Sequence, residues 1–134
     1  MRQRVSIIII SDKKLLLVKG PNGFYKQFFF TPGGKIENGE TPQKAVIREL
    51  NEELSIVPIK TKPYLTYISP IPNTQENQQV RCFILEKFKG IIKTNNEIDE
   101  IFWYSKNNFI NNSPSIADSI YTQLIPKLIE DGLL

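Results

Sequence analysis

The chain has 134 residues, a formal net charge of +3, 40% hydrophobic and 23% charged residues. That is the size of one domain with a real core and the composition of a soluble globular protein. The small charge and the absence of a lysine or arginine run exclude a nucleic-acid-coating surface, and no histidine with one cysteine nearly excludes a zinc site of the usual kind.

Met1 to Ile10 holds basic residues and four isoleucines, too few for a signal segment or a membrane span. A strand over Val5–Ile10 is expected, then a turn at Ser11-Asp12-Lys13 and a second strand over Lys14–Lys19. Gly20-Pro21-Asn22-Gly23 predicts a loop, and Phe28–Thr31 a short strand running into Pro32-Gly33-Gly34. That glycine pair allows a tight turn and a close approach of bare backbone to a ligand. Lys35 follows directly and is a candidate to meet a phosphate, although a glycine pair taken alone marks only a turn.

Thr41-Pro42 predicts an N-cap and first helical residue, and no Gly or further Pro occurs before Leu54. At helical spacing Val46, Ile47, Leu50 and Leu54 share one face, with Glu49, Glu52 and Glu53 on the face beside it. Like charges three and four residues apart each cost about 0.2–0.5 kcal/mol. A solvated acidic surface and a cation site both account for three glutamates taken alone. A bound cation would turn that repulsion into coordination, and carboxylates suit Mg²⁺, with Mn²⁺ as a substitute. Arg48 stands four residues before Glu52, the spacing of an ordinary surface ion pair.

Beyond the helix, Ile59–Ser69 and Gln78–Phe88 predict strands joined by a Pro-containing loop, and Ile101–Tyr104 a further short one. Cys82 falls in an apolar run and is expected as a buried strand residue. Ile116–Glu130 predicts a helix that Pro126 kinks or divides. With no signal segment and no disulfide pair, a cytoplasmic location is expected. The elements alternate unevenly, so α/β and α+β both stay open.

Gly34, Glu40, Arg48, Glu49, Leu50, Glu52, Glu53 and Ile56 fit the spacing G-x5-E-x7-R-E-U-x-E-E-x-G-U, where U is aliphatic. On these residues the chain resembles the Nudix hydrolase family, and within it the mutator-type (8-oxo-)dGTP diphosphatase group. Ser55 departs from the pattern, which has glycine there. The resemblance implies one α/β domain over residues 1–134, an α/β/α sandwich around a mixed sheet. It implies Mg²⁺-dependent hydrolysis of a nucleoside triphosphate to monophosphate and pyrophosphate. An ADP-ribose or nucleotide-sugar diphosphatase, for which Ser69-Pro70 is a weak sign, and a non-catalytic nucleotide-sensing module are the alternatives.

It further implies Glu52 and Glu53 as principal metal ligands, with the Gly33 carbonyl and Glu97 completing the set and Glu100 competing with Glu97. Glu49 becomes the general base or a bridging ligand, Arg48 orients a glutamate of the motif, and Glu40 supports the loop or the metal ligands. Lys35 and Lys19 are phosphate-contact candidates. Asp118 stands where the mutator-type group has a base-reading asparagine, or is a solvent-facing helix-start residue. Trp103 is expected in the core, with base stacking as the other reading. The expected partner is a small nucleotide, with no nucleic acid and no membrane; a homodimer stays open.

Overall fold

The computed structural model describes residues 1–95 and 97–134. Its first strand, β1 (Arg2–Ile8), alternates: Arg2, Arg4 and Ser6 take one side, Val5 and Ile7 the other. β2 (Ile10–Ser11) and β3 (Lys14–Lys19) form a hairpin across Asp12 and Lys13, whose φ values are 50° and 57°. Positive φ at both turn positions matches the twist of the flanking strands. The expected strand Val5–Ile10 is therefore two strands. The chain passes from one sheet to the other at Ile9.

A one-turn helix, α1 (Phe24–Gln27), follows the glycine loop. Phe28–Thr31, expected as a strand, makes only isolated bridges, Phe30 to Val18 and Phe29 to Ile116. β4 (Gly33–Lys35), α2 (Pro42–Leu54), β5 (Val57–Pro70) and β6 (Asn77–Lys89) come next, then β7 (Glu100–Tyr104). One sheet runs β4-β1-β6-β5 and the other β2-β3-β7. β1 pairs parallel with β6, while its pairing with β4 and that of β5 with β6 are antiparallel, so the sheet is mixed. α2 packs against β1, β4 and β5.

α3 (Lys106–Asn111) lies where no helix was expected. It buries no residue, so it leaves no apolar period, and a reciprocal cap between Ser105 and Asn108 starts it. The expected helix Ile116–Glu130 is a wide π-helical turn over Ile120–Leu124 running into α4 (Ile125–Glu130). Pro126 explains the widening, because its ring crowds the carbonyl four residues back and it has no N–H to donate. Ile7, Leu15, Leu50, Leu54, Tyr104 and Leu124 form the core, and Cys82 is buried in it on β6. Among the described residues no helix is long and apolar enough to cross a membrane.

Candidate active site

α2 starts as its sequence dictates, with the Thr41 hydroxyl accepting from the Lys44 amide at 3.2 Å and Pro42 opening the helix. Its buried face is Ala45, Val46, Glu49, Leu50, Glu53 and Leu54. Two carboxylates thus sit within the stripe that packs on the sheets. Ile47, expected on that stripe, is 49% exposed. Glu52 points outward, its side chain 44% exposed, so the three glutamates do not share one surface.

The glycine turn is shaped around the two buried carboxylates. Gly33 has φ +145°, and a Cβ there would overlap the Val5 carbonyl oxygen. A Cβ on Gly34 would overlap the Glu49 carboxylate. Only glycine serves at position 33, where the obstacle is backbone; at position 34 a side chain would push the Glu49 carboxylate aside. The Gly33 amide donates to Glu53 Oε1 at 2.8 Å, which fastens the turn to the helix.

Arg48 grips Glu40 with two bonds, Nε to Oε2 at 2.8 Å and Nη2 to Oε1 at 2.9 Å. Its Nη1 holds Glu49 Oε1 at 2.8 Å, and Nη2 also reaches the Lys35 carbonyl at 3.0 Å. Glu52, four residues on, is the looser partner at 3.6 Å. These bonds hold the Glu40 carboxyl down at about 2, well below the usual carboxylate range. Burial pushes Glu49 up, against the pull of Arg48. Burial also pushes Glu53 up to about 8, with the Gly33 amide and Arg4 opposing it.

Glu49 and Glu53 open on a cleft of about 480 Å³ that also receives Glu97 and Lys35. Arg2 and Arg4 face the same cleft. Lys19 does not; its ammonium lies 4.8 Å from the centre of the Phe29 ring, a cation–π contact that places it elsewhere. Glu52, Glu100 and Trp103 do not line the cleft either. Trp103 is half-buried against the core, and Glu100 is exposed, paired with Lys19 across β3 and β7.

A second, more apolar cavity of about 170 Å³ lies beside the first. Parallel pairing sets Arg4 opposite Val80 and Arg2 opposite Gln78, while β5 sets Ser69 opposite Gln78 and Tyr67 opposite Val80. Alternation turns Arg4, Tyr67, Ser69, Gln78 and Val80 to the same face, where they line this cavity with Asp118. The two spaces share Arg4, Tyr25 and Phe30. Sequence reasoning missed these three. Only the register and the loop before β4 gather them.

Segment 93–95, which leads to Glu97, is tied to the end of α2. The Lys93 amide donates to the Leu54 carbonyl at 3.0 Å, and Asn95 Nδ2 to the Glu52 and Asn51 carbonyls at 2.7 and 3.2 Å. Ser55 is left-handed, φ 59°, and its hydroxyl reaches Asn95 Oδ1 at 3.2 Å. The departure from glycine thus comes with a bond that orients Asn95.

The donor chemistry fits a hard divalent cation. Glu49 and Glu53 are oxygen donors four residues apart, and burial disfavours their charged form, a cost that a bound cation would offset. Among the described residues no three acidic side chains stand close enough to hold an ion as they are. Glu97, already on the cleft, would have to draw closer, and Glu52 would have to turn inward, to join them.

The sequence profile of the NUDIX domain matches residues 1–126. An ADP-ribose pyrophosphatase of Methanocaldococcus jannaschii is 37% identical over 102 residues, 75% of this chain, and the chain spans 60% of that relative's length. An 8-oxo-dGTP diphosphatase of Escherichia coli is 70% identical over 27 residues, 20% of this chain and 21% of that protein. Among solved structures, a MutT protein from Methanosarcina mazei superposes with a TM-score of 0.82 at 18% identity, covering 98% of this chain and 94% of that one.

Proposed function

The chain belongs to the Nudix family, and we propose that it hydrolyses a nucleoside triphosphate, normal or damaged, to the monophosphate and pyrophosphate. Hydrolases of this family use divalent cations. The carrying observation is the adjacency of a small apolar cavity, edged by Asp118, Gln78 and Ser69, to a cleft lined by Glu49, Glu53 and Glu97. One space suits a base, the other a charged polyphosphate.

On this reading Glu53, Glu52, Glu97 and the Gly33 carbonyl would hold Mg²⁺, with Mn²⁺ as a substitute. The cation supplies neutralisation of phosphate charge and activation of the attacking water. Glu49 Oε2 takes the proton, because Oε1 is held by Arg48. Glu40 in turn holds Arg48, so the three act as one positioning chain. Lys35, on the cleft wall, meets the outer phosphates.

Hydrolysis of ADP-ribose is the second reading, favoured by the Methanocaldococcus jannaschii relative. Product analysis over a panel of ribo- and deoxyribonucleoside triphosphates, 8-oxo-dGTP and ADP-ribose, with Mg²⁺ and with excess chelator, separates them. Monophosphate and pyrophosphate from a triphosphate supports the first reading, and AMP with ribose 5-phosphate the second. Full activity in chelator, or no turnover of any compound, overturns both.

A further inference from the structure

We propose that Arg4 holds the phosphate directly joined to the nucleoside, an assignment that rests on the nucleotide reading above. Arg4 is 9% exposed and lies on β1 between β4 and β6, paired with Lys35 on one side and Val80 on the other. Among the described residues its guanidinium makes one hydrogen bond, Nη2 to the Thr31 carbonyl at 3.1 Å. Arg48 and Lys127, and not Arg4, make the ion pairs among those residues. A guanidinium has five N–H donors in a fixed fork. Burying its charge without an anion is costly, and a phosphate matches that fork with two parallel bonds.

Its location says which phosphate. Arg4 lines both the apolar cavity and the carboxylate cleft. A nucleotide with its base in the first and its scissile linkage in the second must pass its innermost phosphate between them. Phe30, whose ring centre is 5.9 Å from the Arg4 guanidinium carbon, backs the group there. Glu49 and Glu53 lie on the same cleft without pairing to it. Arg4 is thus left open to an incoming anion and set beside the carboxylates that carry the chemistry.

The test is binding of product-like probes by calorimetry in excess chelator, so that neither turnover nor a cation contributes. The probes are dGMP with deoxyguanosine and AMP with adenosine, titrated into wild type, Arg4→Gln and Arg4→Lys. Wild type should bind at least one monophosphate tenfold or more tighter than its nucleoside. Arg4→Gln should lose that advantage while keeping nucleoside affinity within about twofold. Arg4→Lys, whose ammonium lacks the planar fork that gives a phosphate two parallel bonds, should lose at least threefold of it and covers the case in which Arg4→Gln fails to fold. An undiminished advantage in either folded variant overturns the assignment, as does an equal loss of nucleoside and monophosphate binding, the mark of a merely structural role. Wild type that binds neither member of either pair, and hydrolyses no nucleotide, overturns the nucleotide reading and this one with it. Wild type that hydrolyses nucleotides while Arg4 variants bind normally overturns this one alone.

Discussion

The Gly33 amide donates to Glu53 Oε1 at 2.8 Å, so the backbone of the glycine turn is bonded to a carboxylate that is 4% exposed. One amide is a small return for burying that charge, and burial raises the Glu53 carboxyl to about 8. A folded pKa above the ordinary 4.5 means proton uptake on folding between those values. The stability is fully present below pH 4.5 and is lost as pH rises toward about 8.

In chelator, the Tm of wild type should therefore fall from pH 5 to pH 8. Glu53→Gln keeps the acceptor for Gly33 and sheds the charge, so its Tm should stay nearly level. It should be the more stable protein at pH 8, by on the order of 3 kcal/mol. Glu49, also raised by burial, acts in the same direction. A wild-type Tm that climbs over this range contradicts the buried, uncompensated carboxylate. Turnover of Glu53→Gln with Mg²⁺ should drop by orders of magnitude.

Arg48 is where Arg and Lys should differ most. Its fork spans Glu40 and Glu49 together, a geometry that an ammonium cannot copy. Arg48→Lys should lower kcat at least tenfold with little change in KM, because the substrate is not touched. Glu40, held down at about 2, contributes stability that is present above pH 4.5 and lost as pH falls toward 2. Acid unfolding of Arg48→Lys should accordingly begin at a higher pH than in wild type. Coincident acid transitions would show that the grip on Glu40 contributes nothing.

Ser55 sets a strained backbone against a hydrogen bond. The left-handed conformation, φ 59°, costs a serine about 1 kcal/mol relative to glycine, and the exposed bond to Asn95 is worth about 0.5 kcal/mol. Ser55→Gly should therefore be slightly stabilising, and Ser55→Ala, which keeps the strain and loses the bond, destabilising. Denaturant melts of the two decide it: a destabilised Ser55→Gly would mean that the bond outweighs the strain, and a Ser55→Ala at least as stable as Ser55→Gly would mean that there is no strain to relieve.

The motif residues were legible because their spacing is local: a cap, a proline and a helical period place Glu49 and Glu53 on α2 whatever surrounds them. What periodicity alone misjudged was depth. Ile47 and Glu52 looked equivalent to Val46 and Glu53, yet the sheets that α2 packs on cover one pair and leave the other exposed. Lys19 was named from its place in the chain, and Phe29 takes its ammonium instead. Arg4 is an isolated basic residue on a strand, indistinguishable in sequence from a solvent-facing one. Only the parallel pairing of β1 with β6, a contact some 76 residues apart in the registered pair Arg4–Val80, turns it into a cavity wall.

Glu97 and Glu100 are separated by geometry. Glu97 stands on the cleft with Glu49 and Glu53, and the segment before it is fastened to the end of α2 through Lys93 and Asn95. Glu100 begins β7, exposed and away from the cleft. Glu97→Gln should cut kcat at least tenfold and Glu100→Gln less than twofold. Asn95→Ala, which frees the segment without touching the cleft, should fall between them. The opposite order for the two glutamates would assign the ligand to Glu100.

Asp118 tests whether the apolar cavity reads a base. It lines that cavity with Gln78, whose Oε1 is buried and has no hydrogen-bond partner, and with Ser69. An ionised aspartate only accepts hydrogen bonds. It matches an edge that presents donors, such as the N1–H and amino group of a guanine, and not the ring nitrogens of an adenine. Asp118 is exposed in the free protein; once a seated base covers it, a hydrogen bond to its charged carboxylate, lost without replacement, is worth about 1–3 kcal/mol, or tenfold and more in discrimination. The kcat/KM ratio of dGTP to dATP, and of purine to pyrimidine triphosphates, should therefore fall at least tenfold in Asp118→Ala. Asp118→Asn, which adds a donor while keeping the shape, should shift preference toward bases with acceptors. Ratios unchanged in both variants would leave Asp118 a solvent-facing residue at the start of its helix and pass base recognition to Gln78 alone.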